Sequence, residues 1–355
     1  MKKYIFLFIV LFITININAQ NVNIPDPNFK SFLLSSLQFN PNQDTEISIT
    51  EANAFTGLMD CSGLNISDLT GVEAFVNMTE LLCYNNNITA LDVSALTSLT
   101  RLICGDNQLS SLNVNSNTNL ERLSFGGTNQ ISSINVSNNT NLKGVAFHNQ
   151  PISIIDLSNN PLIDDVQCTG SSITELDLSN NPSLINLFAT NTQIDSLDVS
   201  SNINLQVLLV DSNQNLEYLN VKNGNNTAIF YYDSRVTPNL TCIEVDNVTW
   251  SNSNWTWRDA NNVFNTSCSV GLAEFKEKTN LSIYPNPTNG YVTIQLDEIP
   301  KNVVINIKDV LGKTLLEQKA NSTSTLINVS SLPEGIYYVE LINDSYKYAK
   351  KLVVN

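Results

Sequence analysis

The sequence predicts a mainly β chain, a solenoid of short parallel strands with little helix, followed by a small antiparallel β-sandwich. Two observations lead there. Several columns of side chains recur every 21 or 22 positions over roughly 160 residues, the mark of stacked structural repeats. After Gly271 the pattern gives way to brief alternating strands separated by Asn, Pro and Gly turns. Composition sets the limits. The 355 residues carry 18 basic and 33 acidic side chains, a net charge of −15, which argues against nucleic acid as a partner because little here can neutralise phosphates. Asparagine contributes 54 residues, more than all charged types together, while 42% of the chain is hydrophobic, too much for disorder.

In chain order, Lys2 and Lys3 precede an apolar run from Tyr4 to Ile13 and a polar exit at Ala19. This is the layout of a secretory signal peptide over 1–19, and its apolar core is shorter than the ~20 residues a spanning helix needs. No other segment is apolar enough to span a membrane. Residues 20–58 break the repeat and read as an N-terminal cap, with Phe29, Phe32, Leu33 and Leu34 on one helical face and Ile47 and Ile49 beyond it. Within this cap Asn40, Asn42, Asp44, Glu46, Ser48 and Glu51 fall at positions 1, 3, 5, 7, 9 and 12 of a calcium-loop pattern. Thr45 stands where that loop needs glycine, so a plain polar turn competes with a metal site. No cofactor is expected.

The array occupies 59–228. Leu99, Leu102, Cys104, Asn107 and Leu109 spell L-x-x-L-x-C-x-x-N-x-L. The Leu102 column continues as Leu123, Val145, Val166, Leu187 and Leu208. The next runs Cys61, Cys83, Cys104, Phe125, Phe147, Cys168, Ala189 and Val210. This pattern resembles the leucine-rich repeat, which implies a solenoid of parallel strands. Alternation points Leu102 and Cys104 inward while Arg101, Ile103 and Gly105 point out. Units of this length leave little room for a helix on the convex side, so the Leu-Asp-Val-Ser strings should be extended or turn-like. Asn86, Asn107, Asn129 and Asn213, with Gln150, Ser171 and Thr192 in the same column, sit where the strand turns away. An amide both donates and accepts, so it can bridge backbone groups from coil to coil. A ligand-binding ladder is the rival explanation of that column.

The inward cysteines read as small buried hydrophobes, since neighbouring rungs hold them wider apart than a disulfide prefers. Cys242 and Cys268 lie outside that column and flank Trp250, Trp255 and Trp257 in a C-terminal cap over 229–271. A disulfide is expected there, closing a loop worth roughly 3 kcal/mol, with the tryptophans as hydrophobic cover. There is no C-x-x-C metal motif, and His148, the only histidine, lies on an outward position.

A charged linker over 272–280 leads into 281–355. Here YPNPTNG (284–290), DVLGKTL (309–315), LPEGIYYVEL (332–341) and the final KKLVV resemble the type A C-terminal sorting domain of the type IX secretion system of Bacteroidetes. Pro285, Asn286, Pro287, Gly290, Gly312, Lys313, Gly335, Tyr337, Lys350 and Val353 match that motif set. The resemblance implies recognition and folding roles for them, the type IX machinery as partner, and export through the periplasm to the outer surface or the medium. In that family the domain is usually removed and the cargo released or joined to surface lipopolysaccharide. The array, with IPDPNFKSFL in its cap and NLTCIEVDN at its close, is similar to secreted leucine-rich-repeat proteins of the same bacteria.

The outward residues of the concave strands are the default binding face, and Tyr84, Arg101, Ile103, Arg122, His148, Gln167, Phe188 and Leu209 are its candidates. Apolar anchors among polar neighbours suit an unknown protein or glycan ligand. The expected function is a non-enzymatic secreted or cell-surface adhesion module. The alternatives are a structural surface-layer component and a polysaccharide-active enzyme on a parallel β-helix. An enzyme would need grouped carboxylates. Asp92, Asp156, Asp177 and Asp198 do align, but in a repeated column that a structural role explains.

Overall fold

The computed structural model describes residues 20–268, 282–296, 303–309, 313–320, 322–343 and 346–355. The expected signal peptide, the linker and Gly312 lie outside the described residues. Contacts divide the chain into two compact units at Thr266/Ser267.

The first unit opens with helix α1 (Pro27–Leu34), which buries Phe29 and Leu33. Asp26 caps it, with Oδ1 accepting from the backbone N–H of Asn28 and Phe29 at 2.9 and 3.0 Å. Its Oδ2 accepts from both the N–H and the hydroxyl of Ser67, which fastens the cap to the first coil. Helix α2 (Ile49–Ala54) starts with a reciprocal capping box between Ser48 and Glu51. Ile47 is fully buried, whereas Ile49 lies on the exposed side of α2. Gly71, at φ 104°, lets the N-terminal segment cross the coil, because a Cβ there would lie 2.8 Å from the Asn23 carbonyl.

Short parallel strands then follow, one per coil: β1 (Gly57–Asp60), β2 (Met78–Leu82), β3 (Arg101–Ile103), β4 (Arg122–Ser124), β5 (Gly144–Ala146), β6 (Asp165–Gln167) and β7 (Asn186–Phe188). Next in sequence are β8 (Ser196–Asp198), β9 (Val207–Leu209), β10 (Tyr218–Asn220), β11 (Tyr231–Asp233), β12 (Cys242–Glu244), helix α3 (Val248–Asn254) and β13 (Val263–Asn265). β1 to β7, β9 and β11 form one nine-stranded parallel sheet. Its register pairs Leu81, Leu102, Leu123, Val145, Val166, Leu187 and Leu208 in one unbroken row. Every one of these is buried, and Cys83, Cys104, Phe125, Phe147, Cys168, Ala189 and Val210 form a second buried row. A single coil covers too little apolar surface to order itself, so stability resides in the contact between coils. The backs of the coils are extended turns. Near the C-terminal end they tighten into a second parallel sheet, β8-β10-β12-β13, which the repeated Leu-Asp-Val-Ser strings alone did not distinguish from the turn-like backs upstream.

Two rows of buried amides run along the coils. At the turn leaving the large sheet, Asn107 Oδ1 accepts from the Ile88 N–H at 3.0 Å while Nδ2 donates to the carbonyls of Cys83 and Cys104. Asn129 and Asn213 repeat this bridge, and Gln150 reproduces it through Oε1 and Nε2. Ser171 bonds only the Cys168 carbonyl of its own coil. The second row, Asn117, Asn139, Asn160, Asn181, Asn202 and Asn223, lies on the outer side and is buried. Asn160 Nδ2 donates to the carbonyls of Val136 and Asn139 of the preceding coil at 3.1 and 2.8 Å, and Asn139, Asn181 and Asn202 do the same from their own coils.

Cys242 and Cys268 are disulfide-bonded, and Cys61, Cys83, Cys104 and Cys168 are free, buried thiols. Burial pushes Cys61, Cys104 and Cys168 up to about 12, so they stay protonated and chemically inert.

The second unit contains the strands β14 (Ser282–Tyr284), β15 (Tyr291–Gln295), β16 (Val304–Lys308), β17 (Thr314–Lys319), β18 (Ser324–Asn328), β19 (Gly335–Asn343) and β20 (Tyr346–Val354). They make two antiparallel sheets, β14-β15-β18 and β17-β16-β19-β20. Val292 and Ile294 of one sheet and Ile305, Ile307, Val339 and Leu352 of the other share one core, which makes a small sandwich.

Candidate functional site

The outward side chains of the large sheet form parallel rows because the strands are in register. One row reads Glu80, Arg101, Arg122, Gly144, Asp165, Asn186, Val207 and Tyr231, and the next Leu82, Ile103, Ser124, Ala146, Gln167, Phe188, Leu209 and Asp233. In the middle the residues are small, and a depression of about 480 Å³ opens there. Of the sequence candidates, Arg101, Ile103, Arg122 and Gln167 line it, together with Ser124, Gly144, Ala146 and Asp165. Tyr84, His148, Phe188 and Leu209 are outward on the same face but do not line it; Tyr84 is exposed and the other three half-buried.

The electrostatics of the depression are specific. Arg122 reaches over β5 to clasp Asp164, two coils away, through two hydrogen bonds of 2.6 and 3.0 Å. Gly144 makes the crossing possible, since a Cβ there would lie 2.3 Å from the Arg122 Nη1. Arg101 pairs with Glu80 at 3.5 Å and Lys143 with Glu121 at 2.7 Å. Asp165 accepts a hydrogen bond from Gln167 Nε2 at 2.8 Å, and its Oδ1 is buried without a partner. Burial pushes the Asp165 carboxyl above its ordinary range, against the pull of the Gln167 hydrogen bond and the Arg122 charge.

At the C-terminal end of the same face lies an aromatic group. Trp255 behaves as the expected cover: it is buried, stacks on Tyr232 at 4.4 Å and donates from Nε1 to the Ile229 carbonyl. Trp250 packs edge-on against it at 5.6 Å. Trp257 departs from that expectation. It is 43% exposed, 5.5 Å from the 41% exposed Tyr231, with the Arg235 guanidinium 4.9 Å over its ring. The three tryptophans are close in sequence, and a period of two would put 255 and 257 on one face, so the opposite burial of this pair has no signal in the sequence.

The calcium-pattern residues are engaged otherwise. Asn40 Nδ2 donates to the Asp44 carbonyl, Asn42 and Asp44 bond each other, Glu46 pairs with Lys30 at 2.8 Å, and Glu51 caps α2. Among the described residues no group of three or more His, Cys, Asp or Glu converges as a metal site. The aligned aspartates each accept from the serine N–H two residues on, as Asp92 from Ser94 and Asp177 from Ser179, both at 2.9 Å.

In the second unit Asn286 pins its turn to β20, donating to the Lys351 carbonyl and accepting from the Val353 N–H, both at 2.8 Å. Pro285 and Pro287 follow cis peptide bonds on either side of it. Gly290 accepts through its carbonyl from the Val329 N–H, and the Lys313 N–H bonds Asp309. The Tyr337 hydroxyl donates to the Pro333 carbonyl at 2.7 Å, arching over the turn before Gly335. Lys350 is exposed on β20.

Together these features define an exported repeat protein, a leucine-rich-repeat solenoid followed by a sorting sandwich. Residues 282–355 match the family described as secretion system C-terminal sorting domain, and the chain is thereby directed to the cell surface or beyond by the type IX route. The chain is 30% identical to the ulvan lyase NLR42 of Nonlabens ulvanivorans over 133 residues, 37% of this chain and 24% of the lyase. It is 37% identical to internalin J of Listeria monocytogenes over 70 residues, 20% of this chain and 7% of the internalin. It thus spans a quarter or less of either relative. A solved structure of the functional domain of InlJ from Listeria monocytogenes, described as including a cysteine ladder, aligns over 95% of this chain and 98% of its own. Identity there is 20% and the TM-score 0.46. Among the described residues no helix is long and apolar enough to cross a membrane.

Proposed function

We propose that the protein is a non-enzymatic recognition module, displayed on the outer surface or released, that binds a protein or glycan on the concave face of the array. The observation that supports this most is the depression between Arg101 and Gln167, where fixed ion pairs and small residues leave a shaped recess of mixed polar and apolar lining on an otherwise continuous sheet. The repeated aspartates hold backbone turns, which accounts for their alignment without chemistry. Internalin J supplies a repeat-protein parallel, and the ulvan lyases motivate a control. The purified secreted protein should bind intact cells, extracellular proteins or glycans, and Arg122→Ala together with Phe188→Ala should weaken that binding at least tenfold. Release of unsaturated uronate products from ulvan would overturn the non-enzymatic reading.

A further inference from the structure

The depression also selects among ligands, an inference that rests on the concave face being the binding surface. Its floor is made by Ser124 and Ala146, with the Arg122 side chain lying across Gly144, and with β3 on one side and β6 on the other. At the ~4.8 Å spacing of adjacent strands the span from β3 to β6 is ~14 Å, wide enough for a sugar ring or two. The cations along this stretch are committed: Arg101 to Glu80, Arg122 to Asp164, Lys143 to Glu121. Asp165 has no ion-pair partner, and one of its oxygens lacks a hydrogen-bond donor. A carboxylate or sulfate entering here would meet Asp165 and would have to break an ion pair. An apolar group would cover the Asp165–Gln167 pair without using its remaining hydrogen-bonding capacity. A hydroxyl fits, because it can donate to Asp165 Oδ2, which already accepts from Gln167, and accept from the second N–H of the Gln167 amide.

One of the rows that form this trough continues through Asn186 and Val207 to Tyr231, beside which Trp257 stands, four rungs beyond β5, or ~19 Å along the sheet. A pyranose unit is about as long as one rung is wide, so a linear chain can keep step with the coils. The apolar face of such a ring suits an exposed aromatic side chain, whose own polar neighbours, Asp233 and Arg235, are already paired to each other. We propose that the concave face binds a neutral oligosaccharide, seated over Ser124 and Ala146 beside the Arg122 side chain and stacked against Tyr231 or Trp257.

The test is calorimetric titration of the full secreted protein with neutral gluco-, manno-, galacto- and xylo-hexasaccharides and with an oligogalacturonate as the anionic probe. The expected result is binding to a neutral hexasaccharide, weakened at least tenfold by Ala146→Phe, which fills the trough, and severalfold by Trp257→Ala. Gln167→Ala, which adds no bulk, should weaken it as well, and thermal unfolding of each variant shows that the fold is kept. Binding to none of the neutral sugars, or preference for oligogalacturonate, overturns the inference. If a protein partner is instead lost on Ala146→Phe, the inference fails while the concave-face reading stands. If neither sugar nor protein binding responds to these variants, both fail.

Discussion

The two amide rows are built from one residue type yet differ in how strictly they need it. At the turn leaving the large sheet each amide is used at both ends, accepting an N–H and donating to carbonyls. Gln150 therefore replaces asparagine fully, and Ser171 and Thr192 replace it in part. On the outer side only the NH2 group works: Asn117, Asn139, Asn160, Asn181 and Asn202 each satisfy two carbonyls of the coil before, and their Oδ1 atoms have no partner. Two acceptors require two hydrogens, which a hydroxyl lacks. Glutamine places the same group one methylene too far out. The difference teaches that a buried position demanding a count of donors is less replaceable than one demanding a mixture of donor and acceptor. The unbroken outer row and the mixed turn row follow from it.

The comparison can be broken most forcefully with Asn181→Asp. At neutral pH this sets an acceptor-only carboxylate against the carbonyls of Leu157 and Asn160, and roughly 4 kcal/mol should be lost in urea unfolding. The folded-state pKa of such a buried acid lies above its unfolded value, so the penalty must shrink as pH falls. Equal penalties at acid and neutral pH would mean the site is not closed to solvent. Asn107→Ala, which leaves the buried Ile88 N–H without an acceptor, should cost about 2 kcal/mol, and Asn181→Ala, whose two acceptor carbonyls keep the backbone N–H groups of Asn160 and Ile163, about 1 kcal/mol. A reversed order would contradict the two-ended role of the turn row. The cap does with a carboxylate what the interior does with amides. Burial raises the pKa of Asp26, but hydrogen bonds from Phe29, Ser67 and Asn28 outweigh it and hold the carboxyl below its ordinary value. Its contribution is therefore present at neutral pH and disappears as pH falls through the depressed folded value. Asp26→Asn should lose about 1 kcal/mol at neutral pH and flatten the acid limb of the stability profile. Ser171→Asn, restoring the bridge where the hydroxyl reaches only its own coil, should gain a smaller amount, below about 1 kcal/mol, seen as a rise in unfolding temperature.

The inward rows were legible in the sequence because Leu102, Leu123 and Leu187 are apolar at fixed intervals in a chain that is otherwise polar, and the sorting unit because several short motifs occur in order. The turn amides were legible too, since Asn107 stands at a fixed offset from Cys104. The outer row was hidden by abundance: with asparagine at 54 of 355 positions, Asn160 looks like any other turn residue until its partners are seen. The second small sheet was hidden for another reason. Leu-Asp-Val-Ser is written alike in most coils, and whether it pairs depends on how closely the coil backs approach, which no single unit encodes. The depression is defined by the small side chains of Ser124 and Ala146, and by an ion pair between Arg122 and Asp164 that spans two coils across Gly144. Its lining residues could be named as outward, but their convergence could not.

Each outer asparagine from Asn117 to Asn202 finds both its acceptors in the coil immediately before it. Duplicating or deleting one whole coil in the gene therefore leaves every such amide matched. The length of the solenoid is free to change by steps of one strand spacing, ~4.8 Å, while the end structures and the export signal are left untouched. A lineage can in this way resize its contact surface through recombination between repeats, faster than through point substitutions.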